Sequence, residues 1–360
     1  MSSTPLSPTR SSVLIVSPAL ADANNGNWHT ASRWVRMLRN HCRIGLAQHW
    51  DGKPCDLLIA LHARRSAPSI DAWAQAHPGR PLVVVLTGTD LYRDIRVDAS
   101  AQLSLQQATH LVVLQEQGVL ELEPALRAKC SVIYQSAPKL AAVDPPRRVL
   151  RVVNVGHLRD EKDPETFMRA AMRLAHRCDL RFEQIGAALD ARFEAAAQRT
   201  VAACPTYRWL GALSRAATRQ HIRRAHLLAN CSVMEGGAQV VLEAACSGTA
   251  VVASRIPGNV GMLGAGHAGW FEVGDDAGLA RLVERAADAP EFLTRLRAQT
   301  LARAPLFEPA EEAARLTDLV RSALTPRPHE PIRSETRSPH LAVARRRLRL
   351  QDRARRATAR

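Results

Sequence analysis

Two glutamates, Glu235 and Glu243, are separated by seven residues, and a pair of glycines directly follows the first of them. Glu235 and the two glycines follow an apolar run at 227–231. The pattern predicts a helix that begins after the glycines and ends near Gly248. Carboxylates accept hydrogen bonds from hydroxyls, and the N–H groups at a helix start attract phosphate. The loop could hold a sugar through Glu235, and the helix could hold phosphates and, through Glu243, a ribose diol. A surface glutamate is the alternative for Glu243.

Three basic side chains follow a predicted strand at 149–155 and its terminal Gly156: His157, Arg159 and Lys162. Pro164 fits the first turn of the next helix, with Asp163 as its N-cap. Ligands of open α/β sheets bind beyond the carboxyl ends of the strands. A lysine at this position could therefore neutralise a diphosphate.

The first half of the chain also places polar residues after apolar runs. After the run 57–61 come His62, Arg64 and Arg65. After the run 82–86 come Thr87, Gly88, Thr89 and Arg93. Paired arginines suit a phosphate-like group, and a solvated basic loop is the alternative. Asp90 in the second segment is either part of a substrate site or a helix N-cap. Gly26, after the first run, would let the backbone approach an anionic ligand, or it marks an ordinary Asn-Gly turn.

The elements that carry these residues recur along the chain. Short apolar runs lie at 13–16, 57–61, 82–86, 111–114 and 132–133, then at 149–155, 180–185, 207–210, 227–231 and 250–253. Continuous runs are typical of parallel strands buried on both faces. Helical patterns lie between them; in one, Ala31, Trp34, Val35 and Leu38 share a face. The sequence thus predicts two doubly wound Rossmann-like domains, 1–146 and 147–308, that face a cleft, with a helix over 309–324 that packs back.

Composition excludes several function classes. The chain has 360 residues, 46% of them hydrophobic, which excludes global disorder. No run approaches the roughly 18 apolar residues of a membrane span, so we expect no membrane insertion. Seven cysteines without a Cys-x-x-Cys pair, and no signal-peptide pattern in residues 1–12, favour reduced thiols and a cytoplasmic location.

Much of the positive charge lies in the tail. The net charge is +15, and residues 325–360, with 11 arginines and three acidic residues, contribute +8 of it. We expect this basic tail to be disordered, either without function or in contact with nucleic acid or anionic lipid. The moderately basic remainder suits a phosphorylated small-molecule ligand.

The second half, about 149–300, resembles the retaining GT-B glycosyltransferases (GT4-like) that carry an E-x7-E motif. The loop from Gly156 to Lys162, the strand-end Gly211 and the segment 235–252 match the motifs of that family. The resemblance implies catalytic roles for Glu235 and Lys162, with Glu243 on the donor ribose. It also implies that no cofactor and no metal are required, since the UDP-sugar is a substrate. The implied donor-binding residues are Gly26, His157, Arg159, Lys162, Glu235, Gly236, Gly237, Ala238, Gln239 and Glu243.

The chain departs from that family pattern at three places. His157 replaces the family arginine, so that Arg159 would supply the second cation. Gly237-Ala238 replaces Phe-Gly, and Thr87 replaces a strand-end histidine of the first domain. The last change puts ordinary handling of an acceptor hydroxyl in doubt.

Over about residues 12–320 the chain is similar to the selenosugar synthases of selenoneine biosynthesis. The similarity rests on segments 24–28, 60–67, 86–94, 135–138 and 156–164. It implies transfer of N-acetylglucosamine or glucose from a UDP-sugar to selenophosphate, which gives a 1-selenosugar. The implied acceptor-binding residues are His62, Arg64, Arg65, Thr87, Gly88, Thr89 and Arg93. The alternatives are an ordinary glycosyltransferase with a hydroxyl or thiol acceptor and a non-catalytic nucleotide-sugar or nucleic-acid binding protein.

Overall fold

The computed structural model describes residues 10–20, 26–145 and 148–325, and these residues form two compact units. Apart from those gaps, the first unit comprises residues up to 114, 118–133 and 312–325; the second comprises 115–117 and 134–311. The predicted tail beyond residue 325 lies outside the described residues, as do 21–25 and 146–147. The predicted domain boundary at 146 stays a prediction.

The first unit is built on a parallel sheet of six strands in the order β2-β1-β3-β4-β5-β6. The strands are β1 Ser12–Val16, β2 Arg43–Ala47, β3 Leu57–Leu61, β4 Leu82–Leu86, β5 His110–Val113 and β6 Cys130–Val132. The helices are α1 Gly26–Leu38, α2 Ala67–Ala76, α3 Ile95–Val97, α4 Ala99–Gln107 and α5 Pro124–Arg127. Every residue of β3 and β4 is buried, as expected of central parallel strands.

The second unit has a parallel sheet of six strands in the order β12-β11-β10-β7-β8-β9. The strands are β7 Leu150–Val155, β8 Leu180–Ile185, β9 Tyr207–Trp209, β10 Leu227–Asn230, β11 Ala250–Ser254 and β12 Trp270–Phe271. The helices are α6 Pro164–Arg173, α7 Ala191–Ala203, α8 Arg215–Arg224, α9 Gln239–Ala245, α10 Pro257–Leu263, α11 Asp276–Asp288 and α12 Pro290–Leu301. Pro164 opens α6 and the Asp163 side chain accepts from Thr166 N, which confirms the predicted start of this helix.

The final helix, α13 Pro309–Leu324, has the predicted bounds. Its apolar side chains Leu316, Leu319, Val320 and Ala323 join the core of the first unit. The buried Glu312 carboxylate accepts from Arg33 Nε at 2.7 Å and from Trp34 Nε1 at 2.8 Å. Removal of one partner of such a buried ion pair costs about 3–5 kcal/mol, so this contact ties α13 firmly to α1.

Ten strands were predicted and all ten are present, but the sequence did not predict β2 or β12. The edge strand β2 is interrupted by Gly45 and has no fully buried residue, so it lacks an apolar run. The strand β12 has two residues, too few for any periodic signal.

Candidate functional site

The direction in which the chain crosses the second sheet reverses between the neighbouring strands β7 and β10. From β7 the chain continues to β8 on one side, whereas β10 and β11 lie on the other side. Such a reversal is where open α/β sheets bind ligands. The loops after β7 and β10 meet here, and Val233 N donates to Glu161 O at 3.1 Å.

Glycine keeps this edge compact. Gly156 has φ +155°, and a Cβ there would lie 3.4 Å from the aliphatic carbons of Lys162. The aliphatic part of the Lys162 side chain therefore packs over the backbone of Gly156. A Cβ on Gly186, which follows β8, would lie 1.9 Å from Gly156 O, so any larger residue would push the two strand ends apart.

Lys162 and Glu235 form an ion pair at this edge. Lys162 Nζ donates to Glu235 Oε1 at 2.5 Å, and Ser232 Oγ donates to the same oxygen at 2.6 Å. The Glu235 side chain is 9% exposed and that of Lys162 23% exposed. Within the described chain, Oε2 of Glu235 has no hydrogen-bond partner. The carboxylate thus has one oxygen held by the protein and one that can accept from a ligand.

Glu243 on α9 has the same half-paired arrangement. Its Oε1 accepts from Gln239 Nε2 at 3.1 Å and lies 3.4 Å from both Nε and Nη2 of Arg215. The residue is buried, and among the described residues Oε2 accepts no hydrogen bond. Glu243 is therefore not the surface glutamate that the sequence left as an alternative. Its contact with Arg215 was not predicted.

The loop that joins the two glutamates is closely packed. Gly236 and Ala238 are buried, Gly237 is partly buried, and α9 begins at Gln239. A Cβ on Gly258 at the start of α10 would lie 2.1 Å from Glu235 O. The start of α10 therefore packs directly against the backbone of Glu235.

The other two basic residues of the β7 loop do not join the ion pair. Arg159 is half-exposed, with Nε 3.7 Å from Glu161 Oε2. Burial, reinforced by the charges of Arg159 and Lys162, lowers the pKa of His157 from its usual 6.5. Its Nδ1 is buried and makes no hydrogen bond to the described residues. His157 is therefore held neutral, and the cationic charge of this loop comes from Arg159 and Lys162.

In the first unit the corresponding reversal lies between β1 and β3, and His62 follows β3 directly. His62 is buried and has φ +73°, a conformation that is uncommon for residues other than glycine. Arg65 N donates to His62 Nδ1 at 3.3 Å, so that Nε2 carries the proton and donates to Thr89 Oγ1 at 3.0 Å. Burial is the main cause that lowers the pKa of His62, which keeps this tautomer neutral.

Asp90 connects the loops after β3 and β4. Its Oδ1 accepts from Thr87 N at 2.9 Å and Gly88 N at 2.8 Å, and its Oδ2 accepts from Ala63 N at 2.9 Å. The sequence left Asp90 as a substrate-site residue or an N-cap. In the structure Thr89 is the N-cap and Asp90 is the first residue of a π-helical turn, Asp90–Asp94, where its side chain holds the two loops together. Its place in a substrate site stays a prediction.

The three arginines of this edge have different surroundings. The buried Asp94 carboxylate accepts from Arg64 Nε at 2.8 Å and Arg93 Nε at 3.2 Å. Arg65 is exposed, and its guanidinium makes no hydrogen bond or ion pair with the described part of the chain. Sequence reasoning missed Asp94, because a carboxylate four residues after Asp90 gives no signal of the arginines that reach it.

Gly26 begins α1 in the first unit and is exposed. A Cβ there would meet no described atom within 4 Å, so the structure supplies no packing reason for glycine. Its donor-binding role stays a prediction.

Two other kinds of site are absent from the described residues. No helix there is long and apolar enough to cross a membrane. No group of three or more His, Cys, Asp or Glu side chains within that part is arranged to hold a metal ion.

Comparisons with known proteins agree with this architecture. Residues 150–288, which include both glutamates and Lys162, match the family model for glycosyl transferases group 1. The chain has a GT-B fold. No curated protein sequence matches the chain.

Three solved structures illustrate this fold. Sucrose-phosphate synthase from Thermosynechococcus elongatus has a TM-score of 0.72 at 15% identity, over 87% of this chain and 99% of its own. HepE from Anabaena, solved with UDP-glucose, has a TM-score of 0.68 at 14% identity, over 87% of this chain and 100% of its own. The pneumococcal O-GlcNAc transferase GtfA, solved with UDP and GlcNAc, has a TM-score of 0.62 at 17% identity, over 75% of this chain and 57% of its own.

Proposed function

We propose that this chain is a glycosyltransferase, namely a selenosugar synthase, which transfers N-acetylglucosamine or glucose from a UDP-sugar to selenophosphate. Selenium of selenophosphate attacks the anomeric carbon, so the C1–Se bond forms as the bond from C1 to the diphosphate oxygen breaks, and UDP leaves. Water then cleaves the Se–P bond, which releases inorganic phosphate and the 1-selenosugar.

The half-paired carboxylates support the donor assignment. Glu235 and Glu243 each present one unbonded oxygen from a buried side chain, which suits the hydroxyls of a sugar and of a ribose. HepE and GtfA, which share the fold, were solved with UDP-glucose and with UDP and GlcNAc, respectively. These observations favour a UDP-sugar as the donor.

Departure of UDP leaves negative charge on the diphosphate. Lys162, with Arg159 three residues before it, is the cation that we assign to that charge. Fixed charges that face a developing anion lower the barrier without reorganisation. In this scheme the chain supplies the positive charge itself, and turnover requires no metal.

The observation that carries the acceptor assignment is the state of the acid–base groups after β3 and β4. His62 uses both ring nitrogens, one as acceptor from Arg65 N and one as donor to Thr89. Both oxygens of Asp90 and of Asp94 accept hydrogen bonds from the protein. None of these groups is therefore poised to deprotonate a hydroxyl. Selenophosphate is already ionised at neutral pH and needs no such base.

Mass spectrometry of the products formed from UDP-N-acetylglucosamine or UDP-glucose with selenophosphate tests the proposal. We expect a selenosugar, UDP and phosphate, and no product when phosphate replaces selenophosphate. Glycerol and cysteine should be tested in parallel as hydroxyl and thiol acceptors. Transfer to either of them with no selenosugar would contradict the acceptor assignment and leave the donor assignment intact.

A further inference from the structure

The Glu243 carboxylate is oriented by two other side chains. Gln239, one turn earlier on α9, donates to Oε1 at 3.1 Å. Arg215 approaches the same oxygen with both Nε and Nη2, each at 3.4 Å. These two side chains, both directed at Oε1, restrain rotation of the carboxylate and leave the lone pairs of Oε2 for a ligand.

Arg215 is held in place by the start of its own helix. The Ser214 side chain accepts from Ala217 N, so α8 begins at Arg215. The preceding loop is tied to the carboxyl end of β8, because Gly186 N donates to Gly211 O at 2.8 Å. The arginine side chain is 38% exposed, whereas that of Glu243 is 5% exposed. The guanidinium thus borders a carboxylate that it can orient from the solvent side.

We propose that Arg215 is a positioning residue that sets the preference of this glycosyltransferase for a ribonucleotide donor. It holds Oε1 of Glu243 so that Oε2 accepts from the 2′-hydroxyl of the donor ribose. This inference rests on the proposed function, in which Glu243 contacts that ribose. A preorganised acceptor discriminates a ribose from a deoxyribose because only the ribose satisfies it.

Calorimetric titration with UDP and with 2′-deoxy-UDP tests the inference. We expect the wild-type chain to bind UDP about tenfold more tightly than 2′-deoxy-UDP. In Arg215→Met this ratio should fall below about threefold, mainly through weaker UDP binding. Arg215→Lys, which keeps the charge but not the two-pronged approach, should give an intermediate ratio. Arg224→Met, an exposed arginine on the same helix, is the matched control and should keep the wild-type ratio.

The two hypotheses fail in different ways. Absence of UDP binding by the wild-type chain would overturn the proposed donor and this inference with it. A ratio that collapses in Glu243→Gln but stays at the wild-type value in Arg215→Met and Arg215→Lys would overturn the role of Arg215 alone. Equal weakening of both nucleotides in Arg215→Met would also overturn it, because a merely structural or long-range charge effect acts on both ligands alike.

Discussion

Replacement of Glu235 by glutamine removes the negative charge that faces Lys162 and keeps the shape of the side chain. In the wild-type chain Lys162 Nζ lies 2.5 Å from Glu235 Oε1, and both side chains are largely buried. A diphosphate that recruits Lys162 must compete with this contact. We therefore expect Glu235→Gln to bind UDP, which carries no sugar, more tightly than the wild-type chain.

The size of the effect follows from the contact that is weakened. A hydrogen bond to a charged group contributes about 1.5–3 kcal/mol and one between neutral groups about 0.5–1.5 kcal/mol. The difference of about 1–1.5 kcal/mol corresponds to roughly 5- to 12-fold tighter UDP binding. The same variant loses a charged acceptor for the sugar hydroxyls, so its kcat/KM for the UDP-sugar should fall by at least about tenfold.

Lys162→Met is the matched variant, because it removes the other half of the same pair. It should weaken UDP binding by about 1.5–3 kcal/mol, roughly 10- to 150-fold, since a cation assigned to the diphosphate is lost. Calorimetry with UDP and steady-state kinetics with the UDP-sugar distinguish the two variants. If Glu235→Gln weakened UDP binding as Lys162→Met does, the competition between glutamate and diphosphate for the lysine would be refuted.

Three further results are expected, each from a different feature. Arg65→Ala should raise the KM for selenophosphate about tenfold and Arg64→Ala should raise it less, because Asp94 already engages Arg64. Steady-state kinetics would contradict this if the KM for the UDP-sugar rose equally. Asp90→Asn should lower the free energy of unfolding by about 1–3 kcal/mol, because the amide nitrogen that replaces Oδ2 cannot accept from Ala63 N. An unchanged urea midpoint would argue against the loop-holding role. Burial lowers the pKa of His62 below 6.5, so the unfolded chain binds a proton at this histidine more readily than the folded chain does. The free energy of unfolding should therefore fall as the pH drops below about 6.5. Thermal melts between about pH 5 and 7.5 should show a smaller loss in His62→Asn, and identical slopes would exclude this histidine as a cause.

Ten of the twelve strands that the structure describes could be predicted from the sequence, together with the places where they end. Continuous apolar runs predicted ten strands, because central parallel strands such as β3 and β4 must be apolar on both faces. Proline and a capping aspartate located the start of α6, since both signals act within one turn. The same local reasoning placed Lys162 and Glu235 after strands, where ligands bind.

Which groups pair could not be predicted from the sequence. Lys162 and Glu235 are 73 residues apart, and Arg215 and Glu243 are 28 apart, so no local pattern could join them. The order of the strands in the sheet brings their loops together, and that order is set by long-range packing. The same holds for Asp90, which resembled a helix cap in the sequence and joins two strand-end loops in the fold. Local periodicity predicts which strand, helix or loop carries a side chain. The partners of a buried carboxylate come from distant segments, which meet only in the folded chain.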